Sequence, residues 1–248
     1  MIRAVIFDMG GTLLHFRLSD SSSWRESEEP GIRGIYQYLV EQGHPLASHE
    51  DVFVDVMFRR LAEGWEQSTG GHINLRAVDW IAAGANHDAR TLDEAALLEA
   101  ARRYARPIRE SLRLMPGAKE TLAALQAQDY RIGLISNTIW PAELHLEDLG
   151  ELGVLPYLEH TIFSGDAGMW KPHAAIFEHA LQALGAHPEE AVFVGDSPRE
   201  DILGAQAVGM RAVWQRNNEF PLGDVQPDAI IDALPGLLPV LEQWNKAT

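Results

Sequence analysis

The 248-residue chain contains no cysteine. That excludes disulfides, thiolate catalysis and cysteine-bound zinc together, and it fits a reducing compartment. Long hydrophobic runs are missing too. No stretch approaches the ~20 apolar residues of a membrane span, and the start, Met1-Ile2-Arg3-Ala4-Val5-Ile6-Phe7-Asp8, is too short and too soon acidic for a signal peptide. A cytoplasmic protein without a membrane partner is the expectation. Lysine is scarce: Lys119, Lys171 and Lys246 are the whole supply, and none falls between His15 and Leu112. Basic residues are outnumbered 20 to 36, for a formal net charge of −16. A field of that sign repels nucleic acid and anionic membrane, so an anionic substrate has to be drawn in by a local pocket. What remains is ordinary for a globular protein: 46% hydrophobic residues and a length that allows one large domain or a core with a smaller companion.

Short apolar runs at Ile2–Phe7, Arg131–Ile135, Thr161–Phe163, Ala191–Val194 and Arg211–Gln215 read as buried parallel strands. The first four end in polar or glycine residues: Asp8, Ser136-Asn137, Ser164-Gly165-Asp166 and Gly195-Asp196. Helical patterns lie between them. Met115-Pro116-Gly117 opens one that carries Leu122 and Leu125. His173–Leu184 sets Ile176, Phe177, Ala180, Leu181 and Leu184 on one face and stops at Gly185. A short third helix spans Asp201–Val208. This alternation predicts βαβ units in a doubly wound, Rossmann-like parallel α/β sheet, whose ligands bind at the carboxyl ends of the strands.

One region breaks the alternation. From His15 to Leu112 the pattern shows helices and loops but no strand. Ser48 with Asp51 marks one helix start, followed by Val52, Val56, Phe58, Leu61 and Trp65. Thr91 with Glu94 forms a capping box before Leu97, Leu98, Ala101, Tyr104 and Ile108. Ser19–Glu29 reads as a polar loop. The predicted organisation is an α/β core of residues 1–14 and 113–248, with a helical cap of residues 15–112 inserted after the first strand. Above the strand ends such an insertion suits a lid; a helical appendage without gating is the alternative.

Four motifs then follow in order. Asp8-Met9-Gly10-Gly11-Thr12-Leu13-Leu14 closes the first strand, Ile135-Ser136-Asn137 another. Lys171-Pro172 precedes Ile176-Phe177, and Val194-Gly195-Asp196-Ser197-Pro198-Arg199-Glu200-Asp201 closes the series. Each falls at a predicted strand end or helix start. Taken together they resemble motifs I to IV of the haloacid dehalogenase superfamily, and the helical insertion resembles its C1-type cap. The resemblance implies a Mg²⁺-dependent hydrolase of a small phosphorylated metabolite that works through an aspartyl-phosphate. Asp8 would be the nucleophile. Mg²⁺ would sit on Asp8, Asp196 and the Gly10 carbonyl, with Asp201 in support. Thr12, Ser136, Asn137 and Lys171 would organise and bind the phosphate, and Lys171 would also cancel charge between nucleophile and substrate.

Gly10 departs from the family's phosphatases, most of which carry there a second Asp that protonates the leaving group. Losing a positioned acid typically costs ~10²–10⁴-fold. A substitute acid such as His15, or a nearly inactive member that binds phosphate or a partner, are the readings this leaves open, with a metal-free haloacid dehalogenase more distant. The absence of lysine from 15–112 argues against the Schiff-base phosphonatases. For substrate selection the sequence offers Trp24, Trp65, Trp80, Trp140 and Trp170 as stacking or packing residues, with Trp170 favoured for its place beside Lys171. Arg17, Arg25, Arg33 and Arg76 are candidates for a second anionic group. The oligomeric state stays open.

Overall fold

The computed structural model describes residues 1–16, 23–44, 46, 48–71, 73–85, 92–217 and 220–246. The chain begins with strands β1 (Ala4–Phe7) and β2 (Leu14–His15) and continues through helices α1 (Trp24–Glu41), α2 (Glu50–Thr69), α3 (Ala77–Ala85) and α4 (Glu94–Ser111). It then runs β3 (Arg113–Leu114), α5 (Ala118–Gln126), β4 (Arg131–Ser136), α6 (Ala142–Glu151), β5 (His160–Phe163), the single turn α7 (Ser164–Ala167) and α8 (Ala174–Ala183). β6 (Ala191–Gly195), a π-helical turn at Pro198–Leu203, α9 (Gly204–Ala207), β7 (Arg211–Gln215), β8 (Ala229–Ile231) and α10 (Leu237–Lys246) complete it. Among the described residues no helix is long and apolar enough to cross a membrane.

Six strands form one sheet in the order β5-β4-β1-β6-β7-β8, and every pairing in it is parallel. β2 and β3 pair antiparallel outside it. Counted within the sheet alone, the order is that of a doubly wound fold, with the direction of winding reversing between β1 and β6. Alternate side chains feed the two faces. Val5, Phe7, Ile132, Leu134, Val192, Val194 and Val213 pack under α5 and α10 through Leu122, Leu125, Leu237 and Leu241. Ala4, Ile6, Ile135, Phe193, Ala212 and Trp214 pack under α8 through Ile176, Phe177, Ala180 and Leu181. Burial on both faces is what the near-continuous apolar strands require.

α1 to α4 bury their own cluster, including Ile32, Ile35, Met57, Leu61, Trp80, Ala101 and Tyr104. This cluster reaches residues of the sheet layer: Ile139, Trp140, Leu144 and Trp170 belong to it. Trp170 meets Trp65 edge-on at 5.2 Å, and its Nε1–H donates to Asn74 Oδ1 at 2.9 Å. Asn74 Nδ2 in turn donates to the Gly165 carbonyl at 2.8 Å. Ion pairs tie α4 to α6: Arg102 meets Glu143 and Glu147, and Arg109 meets Glu147 and Asp148.

Several local expectations are corrected. Trp24–Glu29 is not a loop but the first turns of α1, which begins after Ser23, whose Oγ accepts from the Glu26 N–H. Most of its polar residues face outward, Glu28 turns in to accept from the Tyr104 hydroxyl, and Ile32, Ile35 and Leu39 are buried. Ser19–Ser22 lie outside the described residues. α2 starts after His49 rather than at Ser48. α4 is capped by Asp93, which accepts from the Ala96 N–H at 2.8 Å; Thr91 lies outside the described residues. The stretch from His15 to Leu112 does contain strand, because His15 belongs to the β2–β3 ribbon. β8 was not expected either: it is three residues long with Ile230 exposed, too little alternation to read.

Trp170 joins the two layers by its buried area and by one part-buried hydrogen bond, so Trp170→Ala is expected to cost about 3–5 kcal/mol. Urea denaturation checks this; a loss within 1 kcal/mol would show that the helical layer holds without it.

Candidate active site

The site lies at the carboxyl ends of β1 and β6, where the winding reverses. The Asp8 N–H donates to the Val194 carbonyl at 2.9 Å, which carries the sheet register one residue past β1 and sets the Asp8 side chain beside the end of β6. Asp196 follows that strand. Two glycines let these carboxylates approach. Gly11 has φ +81, and a Cβ there would lie 2.2 Å from Asp196 Oδ2. At Gly195 a Cβ would lie 2.3 Å from Asp201 Oδ2. Any side chain at either position would displace an acid.

Lys171 is the cation of the cluster. It is buried, and its Nζ donates to Asp8 Oδ1 and to Asp201 Oδ1, each at 2.6 Å. Asp201 Oδ2 accepts from the Ser197 N–H at 2.9 Å, so both of its oxygens are engaged. Asn137 braces the lysine from behind: Oδ1 accepts from the Lys171 N–H at 2.8 Å, and Nδ2 donates to the Lys171 carbonyl at 2.9 Å. Its side chain is thus engaged by the Lys171 backbone and by Glu200. Ser136 ends β4 and is buried. Thr12 is buried in the loop after Asp8, and Gln215 Nε2 donates to the carbonyls of Gly11 and Thr12 at 3.1 and 3.3 Å. Asp8 Oδ2 and Thr12 Oγ1 are buried without a hydrogen-bond partner.

Electrostatics decide what the cluster can hold. Burial pushes the Asp8 carboxyl up to about 6, with Lys171 pulling it down and Asp201 adding to the rise. Asp196 rises to about 8 through burial and the charges of Asp8 and Asp201, against the donor Asn217. Burial also opposes the Lys171 ammonium, but Asp201 and Asp8 outweigh it and hold its value above the ordinary range. With all three carboxylates ionised, one ammonium would leave two negative charges uncompensated, and the raised Asp8 and Asp196 values express that deficit. Asp8, Asp196 and Asp201 offer oxygens within 4.8 Å of one another. An all-oxygen donor set with that deficit, and with an orphaned Asp8 Oδ2, fits a hard divalent cation.

The structure therefore brings Asp8, Gly10, Thr12, Asp196, Asp201 and Lys171 to one place, with Ser136 and Asn137 at the neighbouring strand end. Other candidates stand apart. His15 is exposed on β2. Trp170 adjoins Lys171 in sequence but is buried against Trp65 and Asn74, a packing residue. Arg25 pairs with Asp55, Arg33 with Glu29 and Asp51, and Arg76 with Asp79 and Asp166; Arg17 lies outside the described residues. Three further residues take part in the cluster. Glu200 Oε2 accepts from Asn137 Nδ2 at 3.0 Å, and burial lifts its carboxyl to about 7. Asn217 Nδ2 donates to Asp196 Oδ2 at 2.5 Å. Gln215 braces the loop that carries Thr12. Asn217 and Gln215 lie at or just beyond the carboxyl end of β7, a strand end where polar residues are a readable signal.

Comparison with known proteins places this geometry. Residues 2–209 match the model of the haloacid dehalogenase-like hydrolases. The chain is 32% identical to a phosphoglycolate phosphatase of Yersinia pseudotuberculosis, over 97% of this chain and 93% of that one. It is 39% identical to a glyceraldehyde 3-phosphate phosphatase of Pyrococcus furiosus over 142 residues, 54% of this chain and 57% of that relative. Among solved structures it is similar to a 2-haloacid dehalogenase of Pseudomonas syringae pv. Tomato, with TM-score 0.68 and 26% identity over 98% of this chain and 100% of that one.

The raised Asp196 value has a stability consequence whose sign is fixed. The folded carboxyl titrates near 8 against an ordinary 3.8, so its contribution is fully present below about pH 4 and is lost as pH rises towards 8. Asn is neutral at every pH. In EDTA at pH 8, Asp196→Asn is expected to raise the unfolding free energy by on the order of 2 kcal/mol, with the gain vanishing by pH 4. A variant destabilised at pH 8 without metal would contradict the charge deficit.

Proposed function

From the premise that the chain belongs to the haloacid dehalogenase-like hydrolases, we propose that it is a Mg²⁺-dependent phosphatase acting on a small phosphate monoester through an aspartyl-phosphate at Asp8. The observation that carries this reading is the buried Asp8–Lys171–Asp201 chain beside Asp196 at the β1/β6 crevice. The phosphatase names of the relatives support the same chemistry.

Each residue has a task. Asp8 attacks phosphorus in line as the bond to the leaving oxygen breaks, and the electron pair leaves with that oxygen. Water then hydrolyses the acyl phosphate, releasing inorganic phosphate and restoring the carboxylate. Lys171 keeps Asp8 ionised in a buried site and offers its charge to the phosphoryl oxygens. The Ser136 hydroxyl and the Asn137 N–H are donors to the same oxygens, and the Asn137 side chain fixes the lysine. Asp201, engaged on both oxygens, positions Lys171. Asp8, Asp196 and the Gly10 carbonyl would hold Mg²⁺, which supplies neutralisation of the charge that builds on the phosphoryl group. The helices of residues 15–112 act as a cap over these strand ends, hinged at the β2–β3 ribbon. No side chain at Gly10 protonates the leaving oxygen, so good leaving groups are turned over best.

Gly10 also favours a second reading, a phosphate-binding protein with little turnover. Turnover of p-nitrophenyl phosphate separates the two. Wild type is expected to show Mg²⁺-dependent activity, and Asp8→Asn to lower it by at least about 10³-fold. Asp8→Asn with full activity, or no wild-type turnover across a panel of phosphate esters, would overturn the phosphatase.

A further inference from the structure

What stands where the missing acid would be is a ring. A Cβ built on Gly10 would lie 3.0 Å from Phe16 Cε2 and 3.1 Å from Phe16 Cδ2. The direction that a side chain at position 10 would take is thus already occupied by the aromatic side chain six residues on. Phe16 is half-buried and directly follows β2. Its ring packs against both the sheet-side cluster and the helical cluster. It meets Trp140 edge-on at 6.4 Å. Trp140 is itself fixed, stacked on His145 at 5.2 Å and edge-on to Tyr104 at 6.3 Å. The ring beside Gly10 is therefore held from behind.

From this contact, and resting on the phosphatase reading for the place of Asp8, we propose that Phe16 is the specificity residue of the site. It walls the leaving-group side with carbon and selects phosphate esters that present an aryl or other apolar face there. An aromatic face gains ring contact with Phe16. A carboxylate in the same place is desolvated against the ring with nothing to pair it. The substrate class then differs from that named for the phosphoglycolate phosphatase of Yersinia pseudotuberculosis, in which a carboxylate lies one carbon from the ester oxygen. The wall also suits the chemistry left by Gly10. As the Asp8–phosphorus bond forms, an aryloxide leaves with the electron pair and takes its proton from water, and a second water hydrolyses the acyl phosphate. No acid on the protein is called on.

Two phosphonates, which cannot be hydrolysed, test the inference without turnover. Calorimetric binding of phenylphosphonate and of phosphonoacetate is measured with Mg²⁺ for wild type, Phe16→Leu and Phe16→Ala, with thermal unfolding to check each fold. Wild type is expected to bind phenylphosphonate at least about 10-fold more tightly. The preference falls to within about 2-fold in Phe16→Ala, with Phe16→Leu between. Should Phe16→Ala fail to fold, the wild-type and Phe16→Leu ratios carry the test. Wild type favouring phosphonoacetate, a ratio unchanged by the Phe16 variants, or no binding of either probe would overturn the proposal. Phenyl phosphate turnover is scored separately: aryl-selective binding without turnover would sink the phosphatase reading and leave the selectivity of Phe16 standing.

Discussion

A single buried ammonium between carboxylates is the constraint on which the site depends. Lys171 reaches Asp8 and Asp201 at equal distance, and each of these would be costly to bury charged without it. Lys171 is brought there by Asn137, whose amide pairs with the lysine backbone on both its N–H and its carbonyl. Asp201 is brought there by the π-helical turn after Asp196, through the Ser197 N–H. The ends of β4 and β6 are therefore clamped across β1, which lies between them. The arrangement remains short of positive charge, and that shortage is what makes a divalent cation the natural completion of the site.

The same accounting explains why glycine recurs around the acids. Gly11 and Gly195 each lie against a carboxylate that a methyl group would displace. Gly10 is different. The neighbour that a side chain there would meet is the Phe16 ring rather than an acid.

Much of this was legible in the residues. The five strongest strands, their parallel pairing and the placement of Asp8, Ser136 and Asp196 at strand ends or just after them follow from short Val- and Ile-rich runs that stop at polar residues. The helical character of 15–112 was equally legible. Less legible were features set by tertiary contact. α1 begins five residues before the end of the polar stretch Ser19–Glu29, because its outward face is solvated and its buried apolar residues, Ile32, Ile35, Tyr38 and Leu39, all come later. β8 and the β2–β3 ribbon are too short for a period. Trp170 adjoins the lysine in sequence yet points into the helical cluster, and no one-dimensional signal gives that direction. Glu200 and Asn217 acquire their roles only once the ends of β4, β6 and β7 are side by side.

In the proposed reaction Asp8 carries the phosphoryl group during turnover. The most direct measurement is rapid quench of the Mg²⁺-loaded protein with an aryl phosphate, followed by borohydride reduction and peptide mass spectrometry. The reduced product of an acyl phosphate is expected on the peptide containing Asp8, absent when substrate is omitted. Turnover with no modification at Asp8, or with the label on another residue, would contradict it.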